Sequence, residues 1–293
     1  MTEDGRLRGY AMVVGAACCW GVMATLAKLL FRDRAVDPVV LVVIRSDLAT
    51  LTLFAIFAVA ARGRLRIGRR EGWLAAIVGV GGLLTNNFLY FQAIHLTSVA
   101  TALLLQYQAP ILVALYTVLV QRQRLSRRLL LSLGMAAGGC ALVVRVYDPA
   151  VLRPNLLGVA AGLGTALAFA FYILASRVAL KSMGAWTLLA YGYLSASLVW
   201  AFVVPPWRIL SLPYDAETWW AFVAIATIGT ALPFGLFING LKFLPPTQAS
   251  IVSMLEPVVA TLAAYIVLGE TLLPLQMLGG GLVLAAVILV EKT

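Results

Sequence analysis

Between Glu71 and Arg122 the chain carries no formally charged side chain, and the neutral His95 is the nearest thing to one. No soluble fold can solvate a surface built on such a stretch. A membrane-spanning helix, by contrast, needs about 20 mostly apolar residues, with a range of roughly 17–25. The stretch therefore holds two spans, and His95 sits near a tight turn between them. The same criterion applied to the whole chain predicts helices over 9–30, 38–61, 73–95, 98–120 and 128–146. The second half gives 156–179, 185–205, 217–242, 247–268 and 273–290. Of the 293 residues, 62% are hydrophobic and 12% charged, against about 45–50% and 25% in soluble domains. The expected fold class is an all-α integral membrane protein with ten transmembrane helices.

The net charge of +10 could signal a nucleic-acid partner, but its distribution argues against one. The basic residues fall in short clusters between the apolar stretches, such as Arg62, Arg64, Arg66, Arg69 and Arg70, or Arg122, Arg124, Arg127 and Arg128. That is the signature of membrane loops. With the N-terminus inside, 15 Lys and Arg fall on the inner side. Only Lys28, Arg32, Arg34, Arg145, Arg153 and Arg208 fall outside, and Arg45 lies within a helix. Both termini are expected to be cytoplasmic. Trp73, Trp186, Trp207, Trp219 and Trp220 lie near helix ends, where aromatic belts anchor spans. Cys18, Cys19 and Cys140 lie in apolar runs and read as small buried hydrophobes. The run from Gly9 to Ala27 exceeds a signal-peptide core of about 7–15 residues, and so reads as a retained first span.

The halves repeat each other. Gly9, Ala11, Gly15 and Ala17 recur as Gly158, Ala160, Gly164 and Ala166; Glu71, Trp73 and Ala75 as Glu217, Trp219 and Ala221; Ala102, Pro110 and Leu115 as Ala249, Pro257 and Leu262. Residues 1–147 and 151–293 are the expected repeat units. Five passes per unit is an odd number, so the second unit must be inverted relative to the first. Two inverted-topology repeats around a central cavity are a recurrent construction of secondary transporters, with the substrate site near the midplane.

The second half also carries recognisable motifs. Gly229-Thr230 through Asn239-Gly240-Leu241, then Gln248-Ala249-Ser250, Leu255-Glu256-Pro257, Leu268-Gly269-Glu270 and Gln276-Met277-Leu278-Gly279-Gly280 resemble the EamA-type repeat of the drug/metabolite transporter superfamily. The first half resembles a degraded copy. Gln106-Tyr107-Gln108-Ala109-Pro110 stands where the second half has Ser253 to Pro257, and Arg122-Gln123 replaces Gly269-Glu270. The resemblance implies export of small metabolites from bacteria across the inner membrane. Amino-acid exporters are the nearest group, with aromatic amino-acid exporters the closest comparison. It implies a small-molecule substrate, the lipid bilayer as surroundings and no cofactor.

Polar side chains at membrane depth are costly and usually face a cavity or a partner. Asn86, Asn87, Tyr90 and Gln92 cluster on the third span; Gln106, Tyr107 and Gln108 sit on the fourth; Asn239 is on the eighth. Asn86, Tyr90, Gln106, Gln108 and Asn239 are candidate substrate-binding groups, or else hydrogen-bonded glue between helices. Trp20, Phe169 and Tyr172 could stack on a substrate or pack the core. Pro110 and Pro257 deprive the carbonyls of Gln106 and Ser253 of their helical donors, at matching depth in both repeats. They mark static kinks, hinges or two walls of one site. Glu256 lies about 13 Å past Thr247 along its helix, close to mid-depth. It is a candidate proton-coupling or amine-binding group, or else a carboxylate tied to a basic residue or to the kinked backbone. Arg45 could attract a substrate carboxylate, but pairing with a carboxylate across helices is the favoured expectation. Gly134 and Gly138, with Gly279-Gly280-Gly281, offer small-residue faces for packing or for a homodimer; the chain otherwise works as a monomer.

Other functions lack their chemistry. A single His rules out a His-Glu-x-x-His zinc site, and no metal site is expected. There is no Gly-x-Ser-x-Gly elbow and no paired intramembrane acid and base, so the chain is not read as an enzyme. A multidrug exporter or a flippase of a lipid-linked substrate remains the alternative within transport.

Overall fold

The computed structural model describes residues 3–149 and 155–292. Arg153 and the outermost residues of the two expected repeat units fall outside that set. Ten long helices follow one another: α1 (Glu3–Asp33), α2 (Pro38–Ala60), α3 (Arg69–Leu96), α4 (Val99–Gln106 continued by Ala109–Leu119) and α5 (Arg127–Val143). They are followed by α6 (Leu156–Ala179), α7 (Ala185–Val203), α8 (Ala216–Gly240), α9 (Pro246–Ser253 continued by Glu256–Leu268) and α10 (Pro274–Glu291). Nine are at least 18 residues long and apolar enough to cross a bilayer. The remaining one, α5, has 17 residues and so spans about 25 Å at 1.5 Å per residue. Runs such as Val39-Val40-Leu41-Val42-Val43 favour strands in water, yet they are helical here. In lipid every backbone N–H and C=O must be satisfied within the segment, and a helix does this alone.

Polar caps set the helix starts. Asp37, Ser98, Ser126, Asn155 and Asp215 each accept a hydrogen bond from a backbone N–H in the first turn of the following helix. Pro38, Pro246 and Pro274 occupy first turns, where the missing N–H costs nothing.

The two five-helix repeats are inverted and interleaved. α1 packs on α8 and α9 of the other repeat, and α6 packs on α3 and α4. α2 lies against α7, and α5 against α10. The symmetry reaches single residues. A Cβ added to Gly82 of α3 would lie 2.9 Å from the Tyr172 side chain on α6; one added to Gly229 of α8 would lie 2.8 Å from Met23 on α1. Gly139 and Gly279 meet reciprocally, each facing the other's carbonyl oxygen at 2.6 Å from an added Cβ. Gly134, Gly138 and Gly281 have open space instead, so the expected packing face shifts to Gly139 and Gly279.

Two kinds of irregularity interrupt the helices, both duplicated. α4 breaks at Tyr107–Gln108 and α9 at Met254–Leu255, just before Pro110 and Pro257. α3 and α8 contain π-helical turns, Ile77–Leu84 and Thr227–Ala231. In each, a threonine hydroxyl reaches back five residues, from Thr85 to the Val80 carbonyl and from Thr230 to the Ile225 carbonyl, both at 2.8 Å.

Arg6 bonds the Glu291 carbonyl oxygen at 3.0 Å, so both termini lie at one end, called the near end below. The loops holding Arg62–Arg70 and Arg122–Arg128 share it. At the far end Lys28 pairs with Glu270 at 2.5 Å, and Arg34 reaches Asp215 at 2.6 Å and also Glu217. Lys28 and Arg34 thus each meet an acidic partner from the other repeat. Hydrogen bonds from the Thr218 side chain and backbone, with the Arg34 charge, hold the Asp215 carboxyl below its usual range. Among the tryptophans, Trp73, Trp207 and Trp220 are exposed as anchors should be. Trp186 covers Gly235 and Trp219 stands edge-on to Phe222, so these two are half-buried against the bundle.

Candidate functional site

The breaks, the π turns and the deep polar residues converge on one cavity of about 90 Å³. Trp20, Arg45, Asn86, Asn87, Tyr90, Leu103, Gln106, Phe169, Phe234 and Glu256 line it. They come from seven helices and from both repeats. Arg45 lies seven residues past Pro38, the first residue of α2, or about 10 Å in from the far end. Gln106 ends the first segment of α4, and Glu256 opens the second segment of α9. Each therefore sits where a proline-induced break relaxes the helix.

An aromatic floor separates the cavity from the near end. Trp20 stands edge-on to Phe234 at 4.9 Å and lies 5.7 Å from Phe237; Phe169 and Tyr172 both stack on Phe237. Beyond the floor the near half of α9 is buried along Thr247–Ser253. Thr117 and Thr247 join α4 to α9 at 3.2 Å, and the Tyr10 hydroxyl lies 2.9 Å from the Val290 carbonyl oxygen and 3.1 Å from Gln248 Oε1. The near end is closed, and the polar lining lies on the far side of the floor.

The lining carries charges of both signs. The Arg45 guanidinium donates from Nη2 to Asn87 Oδ1, while Asn87 Nδ2 donates to the Leu83 carbonyl at 2.6 Å. Among the described residues Arg45 forms no ion pair with a carboxylate, so the expected carboxylate partner is replaced by an amide. Glu256 faces the Tyr107 hydroxyl and lies within electrostatic reach of Arg45. Trp20 Nε1, Arg45 Nε and Asn86 Oδ1 are buried without a protein partner. An unsatisfied buried polar atom costs about 1–3 kcal/mol, and these three belong to residues that line the cavity.

The structure therefore brings together Trp20, Asn86, Tyr90, Gln106 and Phe169 with Arg45 and Glu256. Three other candidates stand apart. Gln108 Nε2 donates to the Leu104 carbonyl at 3.0 Å and serves the α4 break. Asn239 Nδ2 donates to Gly235, one turn back in its own helix, at 2.8 Å. Tyr172 lies in the aromatic cluster under the cavity. Pro110 and Pro257 are buried beside the breaks without lining the cavity. Asn87, Leu103 and Phe234 were not among the candidates. Phe234 lies at the repeat-equivalent place of Asn87, which is the one sequence signal that could have found it.

Inverted repeats of five helices closed around a charged midplane cavity define a secondary-transporter class of membrane protein. The EamA-like transporter family model matches residues 7–145 and 156–291, and the chain belongs to that family: it is a multi-pass membrane transporter, not an enzyme. It is 31% identical to the threonine/homoserine exporter of Escherichia coli K12 over 272 residues, covering 90% of this chain and 84% of that one. It is 26% identical to an uncharacterized inner membrane transporter of Salmonella typhimurium, covering 97% and 95%. One solved crystal structure matches with a TM-score of 0.80 at 19% identity, covering 99% of this chain and 96% of its own. That likeness shows the fold alone.

Proposed function

We propose that the protein exports small amino acids across the bacterial inner membrane by alternating access between its two repeats. The observation that carries the reading is that Arg45 and Glu256 line one cavity in an otherwise apolar bundle. Opposite charges held apart at membrane depth suit a zwitterion, whose own charges are fixed and opposite. A similarity to a threonine/homoserine exporter supports the same class. That relative is named for threonine and homoserine, so small amino acids are proposed here in place of the aromatic ones of the sequence reading.

The basic bias of the loops supports a cytoplasmic near end, with both termini there. The polar side of the cavity then lies toward the periplasm, in the release-side arrangement of an exporter. The units that move against one another are the repeats 1–147 and 151–293, with the breaks before Pro110 and Pro257 as hinges. The test is a substrate panel in proteoliposomes, run with and without a pH gradient. Threonine, homoserine and serine are expected to be transported. If no amino acid is transported or competes, the substrate reading falls while membership of a transporter family stands.

A further inference from the structure

Resting on the amino-acid reading, we infer that the cavity holds its substrate in one orientation, carboxylate toward Arg45 and Trp20, ammonium toward Glu256 and Asn86. The assignment follows from hydrogen-bond valence. A carboxylate only accepts and an ammonium only donates. On the residues that line the cavity, the unpartnered buried atoms are two donors, the Trp20 indole N–H and the Arg45 Nε–H, and one acceptor, Asn86 Oδ1. Glu256 supplies a second acceptor, with charge. Asn86 is buried, so its carbonyl oxygen has no compensating water surface. Arg45 is fixed by its Nη2 bond to Asn87, while its Nε–H has no protein partner. Glu256 and Arg45 sense each other electrostatically without closing into an ion pair. A zwitterion set between them aligns with both charges, whereas an amine or an acid alone satisfies one and strands the other. Hydrogen-bond valence therefore assigns specificity to the two ends of the α-amino acid, and the Phe169 and Phe234 rings meet what lies between.

The test uses the full chain in proteoliposomes, with competition against labelled threonine by threonine, threoninamide and N-acetylthreonine. Threoninamide lacks the carboxylate and N-acetylthreonine lacks the ammonium. Each is expected to compete at least about tenfold more weakly than threonine, since a polar site left unpaired rejects the analogue. Arg45→Gln should collapse the threonine-to-threoninamide ratio to within about threefold while keeping the N-acetyl ratio. Glu256→Gln should do the reverse. Trp20→Phe keeps the ring but removes the N–H, and should narrow only the threoninamide ratio. Equal competition by all three ligands in the unmodified protein overturns the orientation, even if threonine is transported. So does a pair of variants that shift both ratios alike, as a merely structural role would. Failure of every amino acid to compete removes the amino-acid reading and this inference together. If either charge variant does not fold, the analogue series and Trp20→Phe still decide.

Discussion

Arg45 is held by Asn87, a neutral amide on the neighbouring helix, and Asn87 is itself anchored to the Leu83 carbonyl. The cation is thereby positioned without being neutralised. Had a carboxylate stood at position 87, the charge would be spent inside the protein and Glu256 would have no counterpart across the cavity.

Asn87→Asp is therefore expected to abolish most transport while leaving the fold intact, because the new carboxylate pairs with Arg45. Asn87→Leu should lose both transport and stability. It strips a buried charge of a hydrogen bond worth about 1.5–3 kcal/mol. Transport assays beside thermal unfolding in detergent separate the two outcomes. Full activity of Asn87→Asp would show that the free charge of Arg45 is irrelevant.

The Gly139–Gly279 contact makes a local and quantitative prediction. A methyl group at either position meets a backbone oxygen at 2.6 Å, and overpacking of this kind costs about 1–3 kcal/mol. Gly138→Ala, with open space around its Cβ, should change stability by less than about 0.5 kcal/mol or improve it. Equal effects in thermal unfolding would place the α5–α10 contact elsewhere.

Gly269 ends α9 at φ 66°, and Arg122, its repeat equivalent after α4, has φ 53°. The left-handed region costs a non-glycine residue roughly 1–2 kcal/mol. Arg122→Gly should therefore stabilise and Gly269→Ala destabilise, each by about 1 kcal/mol. An unchanged midpoint in both variants would contradict the assigned conformations.

At the far end the sign of the pH dependence is fixed by Asp215, whose folded carboxyl titrates lower than in the unfolded chain. Such a group stabilises above its unfolded value, about 3.9, and that contribution disappears as pH falls through the lower folded value. The midpoint difference between the unmodified protein and Asp215→Asn should thus shrink when the pH is taken from about 6 to below 3. A difference that grows on acidification would reverse the sign.

Much of this architecture is legible in the sequence because the bilayer leaves few choices. Length, apolarity and the positions of charged loops delimit nine helices to within four residues, with α1 starting six residues early at Glu3, and Pro110 and Pro257 announce the breaks. The π turns in α3 and α8 have no such marker; they depend on how Thr85 and Thr230 reach back five residues within the packed bundle. Depth and polarity singled out Arg45, Asn86, Tyr90, Gln106 and Glu256, which line the cavity. They singled out Gln108 and Asn239 too, which lie outside the cavity lining; their amides bond a carbonyl one turn earlier on their own helices, and composition cannot show a side chain turning back. Phe234 was invisible because an aromatic residue in an apolar helix looks alike whether it lines a cavity or fills a core.

The central claim is that Glu256, across the cavity from Arg45, binds a zwitterionic amino acid in transit. Efflux of labelled threonine from proteoliposomes, compared between the unmodified chain and Glu256→Gln at matched protein content, tests it most directly. The account predicts efflux well above that of protein-free vesicles, falling at least about tenfold in the variant. Undiminished efflux through Glu256→Gln would contradict it.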